Sequence, residues 1–80
     1  MNKDELIYNL IFSEDGIYHI NIADYIEPLY RYKYDRFIKE IKKILELSKV
    51  EIERESLNID SISQIIWVIK TRKKQQDVEI

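Results

Sequence analysis

Three glutamates alternate along the stretch "KVEIERES", at positions 51, 53 and 55. In an extended strand, side chains two residues apart share a face, so Glu51, Glu53 and Glu55 would align. Aligned carboxylates are hard oxygen donors of the kind that hold a divalent cation. The simpler reading, a row of solvated carboxylates on the polar side of a half-exposed strand, is preferred. His19 is the single histidine, and cysteine is absent, so neither a zinc site nor a disulfide can be assembled within one chain. His19 sits in the strand-like stretch "IYHI" with no identifiable Ser or Cys partner, which favours a structural, hydrogen-bonded histidine over a catalytic one. Gly16 is the only glycine, too few for a phosphate-cradling loop. No catalytic residue, metal site or cofactor is expected, and the chain does not read as an enzyme.

The remaining residues with chemical potential are cations interleaved with tyrosines, in "LYRYKYDRF" at 29–37. As a strand, this stretch would place Tyr30, Tyr32 and Tyr34 on one face as a stacking platform for bases. As a helix, it would separate them. The wider pattern favours the helix. From about residue 30 to 48, Tyr30, Tyr34, Phe37, Ile41, Ile44 and Ser48 fall on one face, with Ile38 and Leu45 beside it. The opposite face carries Tyr32, Arg36, Lys39 and Lys43. Tyr30 and Tyr34 are then core residues, and the basic stripe faces away from the core.

Other elements must position this helix. Residues 3–13 read as a first helix, with Leu6, Ile7, Leu10 and Ile11 inward, acids Asp4 and Glu5 in its first turn, and Gly16 as a left-handed terminator. Tyr8 and Phe12 form a second apolar pair, suited to an oligomer contact. "IYHI" is a short strand. Asn21 caps a short helix over "IADYIE", which ends before Pro28, and Pro28 can open the long helix. Val50 and Ile52 alternate with the glutamates in a strand, and "LNIDS" reads as a turn or loop. Residues 61–74 fit either a helix, capped by Ser61 and Gln64, or a strand built on Ile65–Ile69; strand is favoured. An apolar segment with two apolar faces, including Trp67, needs cover on both sides, which a dimer contact would supply. Residues 75–80 read as a frayed tail.

Charge is zoned along the chain. The net charge is −2 overall, but residues 1–30 carry −5, residues 31–43 carry +4, residues 44–69 carry −3 and residues 70–80 carry +2. The basic zones are the long helix and "KTRKK". Local charge is what steers a polyanion, because fields are screened beyond about 8–10 Å at physiological salt.

The order of elements resembles the winged helix-turn-helix superfamily over residues 4–72. "LIYNLIF", "YHI", "IADYIE" and "YRYKYDRFIKEIKKILELS" supply the first helix, first strand, second helix and third helix. "KVEIERES" and "QIIWVIKTR" supply the wing. The resemblance implies an α+β fold; the alternative is an all-α helical bundle. It also implies a transcriptional regulator that places its third helix in the major groove of double-stranded DNA. Arg31, Tyr32, Lys33, Arg36, Lys39 and Lys43 would then approach the groove, and Lys70, Arg72, Lys73 and Lys74 would hold phosphates. Tyr8, Phe12 and Trp67 would serve a homodimer interface. The competing reading is a protein-interaction domain (an adaptor, a subunit or a viral anti-defence inhibitor), motivated by the acidic first third.

Composition agrees with one domain: 45% hydrophobic and 35% charged residues in 80. Sixteen isoleucines against one alanine suggest AT-rich coding, as in a thermophile, a virus of one, or a low-GC bacterium. "GIY" at 16–18 with "YI" at 25–26 is similar to the start of a GIY-YIG nuclease, but the glycine due next is Glu27. The first residues are acidic rather than basic and the longest apolar run is "IIWVI", so a soluble, cytoplasmic chain without membrane partners is expected.

Overall fold

Helix α1 spans Lys3–Phe12 and begins where Asn2 caps it, its Oδ1 accepting the Asp4 amide at 2.8 Å. The computed structural model of the chain describes residues 2–26, 32–61 and 63–74. Ile7 and Leu10 are buried, and Leu6 and Ile11 pack at the edge of the core. The helix ends without a left-handed glycine. Ser13 turns the chain into extended conformation, and no glycine has a positive φ. Gly16 serves instead through its carbonyl, which accepts the Thr71 amide at 2.9 Å.

Strand β1, Ile17–Asn21, leads into a 3-10 turn at Ile22–Asp24. The helix expected over "IADYIE" is reduced to this turn. Few residues separate Asn21 from Pro28, too few to repay helix nucleation. Asn21 still caps it, accepting the Ala23 amide at 3.3 Å, and the same oxygen accepts the Ile65 amide at 3.0 Å. Its Nδ2 donates to the Ser63 carbonyl at 3.0 Å. One side chain thus ties the turn to the start of the final strand. Glu27, Pro28, Tyr30 and Arg31 lie outside the described residues.

Helix α2, Tyr32–Leu47, buries Tyr34, Phe37, Ile41 and Leu45. Leu45 is central to this stripe and Ile44 lies at its rim with Ile38. The Phe37 ring meets Tyr25 at 5.6 Å between centroids. Lys49 ends the helix region in left-handed conformation, φ 63°.

Strand β2, Val50–Ser61, and strand β3, Gln64–Lys73, form an antiparallel hairpin. The strand reading holds over residues 64–73, and the fold is α+β as expected, not the alternative helical bundle. The loop expected at "LNIDS" is strand, because Leu57 and Ile59 stand opposite Trp67 and Ile65 and continue the alternation. The sheet order is β1-β3-β2. β3 is therefore central, which explains its apolar run: Ile65, Trp67 and Ile69 are buried on the helix side, and Ile66 and Val68 are half-buried on the other. Both helices contribute to the core on one face of the sheet, and no described residue covers the other face. Residues 75–80 and Ile62 lie outside the described residues. Among the described residues, no helix is long and apolar enough to cross a membrane.

A lysine in left-handed conformation is strained by its Cβ, whereas glycine is not. Lys49→Gly is expected to raise unfolding stability by about 1 kcal/mol, read as an increased urea midpoint with unchanged slope. An unchanged or lower midpoint would show that the joint is not strained.

Candidate nucleic-acid interface

The cationic residues expected from sequence divide into groups with different surroundings. Arg36, Lys39 and Lys43 are exposed on α2, opposite its buried stripe. Their spacing of three and four residues stacks them on successive turns. Among the described residues none of the three forms an ion pair. Arg36 helps hold the Glu40 carboxyl below its ordinary value, but the first cause of that shift is the hydrogen bond from Lys3, at 2.8 Å. Lys33 is half-buried on the flank of the stripe, near Tyr25 and Phe37. The side chain of Tyr32, like Arg31, lies outside the described residues.

The "KTRKK" cations are placed elsewhere. Lys70 and Arg72 belong to the face of β3 that points away from the helices, and both reach Glu53, at 3.4 and 3.6 Å. Lys73 stands opposite Val50, donates its Nζ to the Ser13 carbonyl, and its amide donates to Asp15 Oδ1 at 2.9 Å. Lys74 is exposed at the same end. These residues sit at the open base of the hairpin, not at its tip. The tip, Ser61 to Gln64, is next to Asn21 and carries hydroxyl and amide groups. It lies toward the end of the molecule where α2 begins, since Asn21 bonds the start of β3 while Tyr25 and Ile26, a few residues on, lie beside Lys33 and Phe37 of α2.

Glu51, Glu53 and Glu55 do not share a face. The pairing register shifts between Ile52 and Arg54, so Glu53 is an extra, bulged residue. Glu51 stands opposite Arg72 on the uncovered face, whereas Glu55 stands opposite Ile69 on the helix side. There Glu55 accepts from Trp67 Nε1 at 3.0 Å and from Lys42 Nζ. Burial raises its affinity for a proton, but the bonds from Lys42 and Trp67 outweigh that and lower its pKa. Lys42, which sequence reasoning left out of the stripe, thus docks α2 onto β2. The signal was present: apolar positions in β2 change from even (Val50, Ile52) to odd (Leu57, Ile59), which marks an extra residue between them. Among the described residues, no group of three or more carboxylate, histidine or cysteine side chains could hold a metal.

The residues expected at an interface also divide. Tyr8 and Phe12 are 62% and 68% exposed, with ring centroids 4.6 Å apart. Trp67 is 1% exposed and belongs to the chain's own core. His19 is exposed on the uncovered sheet face, opposite Val68, rather than enclosed. No protein-family model, curated protein or solved structure matches this chain.

Because the Glu55 pKa is lowered on folding, its contribution is complete above the unfolded value, about 4.3, and is lost as pH falls through the folded value. Glu55→Ala should lower stability at pH 7 by about 1–2 kcal/mol, leaving the Trp67 donor and Lys42 unpaired. Denaturation at pH 7 and pH 3 checks this: the wild-type advantage should shrink at pH 3. An advantage equal at both pH values would refute the charged role of Glu55.

Proposed function

We propose that the chain binds double-stranded DNA as a small winged-helix regulator, with α2 as the helix that approaches the groove. The observation that carries this reading is the stripe of Arg36, Lys39 and Lys43, exposed on one face of α2 with no ion-pair partner among the described residues. Support also comes from the element order, helix, strand, short turn, helix, hairpin, with sheet order β1-β3-β2. A free cation releases condensed counterions when it meets a phosphate, which is a favourable term that an already paired cation cannot supply in full. The two basic zones therefore have different weight. The α2 stripe carries the contact, and the polar hairpin tip at the same end reaches the backbone through neutral donors such as Ser61, Ser63 and Gln64. Lys70 and Arg72, held by Glu53 on the opposite side of the sheet, stay outside it.

The competing reading, a protein-interaction domain, is favoured by the exposed Tyr8 and Phe12 pair on α1, amid the acidic first third. The two readings separate in one titration of a labelled random duplex. Arg36→Glu/Lys39→Glu is expected to abolish binding at low salt. Lys70→Ala/Arg72→Ala is expected to change the affinity less than about twofold. The salt dependence should correspond to roughly three phosphate contacts, a log–log slope near about −3. Binding that resists the α2 charge reversal would remove α2 as the DNA-reading element, and no binding by the wild type at low salt would leave the protein-partner reading.

A further inference from the structure

We propose that the distal half of β2, Ser56–Ile59, pairs antiparallel with the same segment of a second copy, joining two sheets into one of six strands. The proposal does not rest on DNA binding.

β2 is an edge strand, with β3 on one side only, and among the described residues no backbone hydrogen bond reaches it from the other side. An open edge invites a further strand, and soluble proteins guard against this with charges and bulges. Here the guarding leaves a gap. One bulge falls between Ile52 and Arg54, where Glu51, Glu53, Arg54 and Glu55 are consecutive in charge but for Ile52, and a second register shift falls between Ile59 and Ser61, at Asp60. From Ser56 to Ile59 there is no charge, no proline and no glycine. Leu57 and Ile59 on this stretch are 39% and 57% exposed, beyond the cover of the helices that bury Trp67 and Ile65 beside them.

The segment is complementary to itself. In an antiparallel pair centred on Asn58, Leu57 faces the partner's Ile59 and Ile59 faces the partner's Leu57. No like charges meet. Both apolar pairs extend the helix-side surface of the sheet, where cross-strand aliphatic contacts stabilise pairing. A hairpin tip of another protein could use the same edge, but self-complementarity selects a second copy. The two-fold axis would run perpendicular to the sheet, so both α2 helices would lie on one side of it. The overlap is short, below the size of a standard interface, so dissociation on the order of micromolar is expected.

Sedimentation equilibrium of the full chain from 5 to 500 micromolar, values chosen on the order of that estimate, tests the proposal. The expected result is a monomer–dimer equilibrium that Ile59→Lys weakens at least about tenfold, with an unchanged circular dichroism spectrum because Ile59 is exposed. The chain has no cysteine, so Asn58→Cys should cross-link to a covalent dimer on mild oxidation. Ser56→Cys should not, since the two copies of residue 56 would lie about 13 Å apart along the ladder. A monomer at every concentration overturns the proposal. So does a dimer that survives Ile59→Lys but is lost in Tyr8→Ala/Phe12→Ala, which would place the contact on α1.

Discussion

The central position of β3 is the constraint on which the other elements depend. Ile65, Trp67 and Ile69 alternate with Ile66 and Val68, so the strand offers apolar surface on both faces. Such a strand cannot lie at a sheet edge. β1 and β2 flank it, and the core collects on the side where α1 and α2 supply Ile7, Leu10, Phe37, Ile41 and Leu45. The connections follow. Asn21 fixes one end of β3 by two hydrogen bonds, to Ser63 and Ile65, and Gly16 and Asp15 receive the amides of Thr71 and Lys73 at the other. With β3 anchored at both ends, the edge strand β2 is free to bulge.

That bulge governs how charge is distributed. It turns Glu55 toward the helices, where Trp67 and Lys42 hold it, and leaves Glu53 on the uncovered face between Lys70 and Arg72. One strand thereby neutralises a lysine of α2 and two cations of β3. Among the described residues, the row on the solvent side of α2 forms no ion pair. The asymmetry between the faces of this small molecule is thus a product of strand register, not of the amount of positive charge in either zone. The exposed ion pairs themselves add little to stability. Their effect is on where the field is positive.

The long helix was legible because its apolar period is strong and its polar face uninterrupted. Tyr34, Phe37 and Ile41 are buried as the spacing required. β3 was legible as strand from its β-branched run, though not its central place, which depends on pairing partners distant in sequence. The "LNIDS" segment was missed because Asn, Asp and Ser favour turns locally, and pairing with Trp67 and Ile65 overrides that preference. Gly16 was assigned a left-handed role from residue type alone, while Lys49 adopts that conformation because the chain must turn at once from α2 into β2. The cations of "KTRKK" could be counted but not located. Whether a lysine is free depends on which carboxylate the fold brings near, and the pairing of Lys70 and Arg72 with Glu53 crosses the hairpin.

The bulge at Glu53 has a further consequence for how this gene can change. Loss of one residue within a strand ordinarily turns every later side chain to the opposite face. Here loss of codon 53 would instead give regular pairing from Val50 to Ile59, with Ile52, Glu55 and Leu57 keeping their sides. The core would be spared, while Lys70 and Arg72 would lose their shared carboxylate. A single in-frame deletion therefore makes the back surface more cationic by one charge.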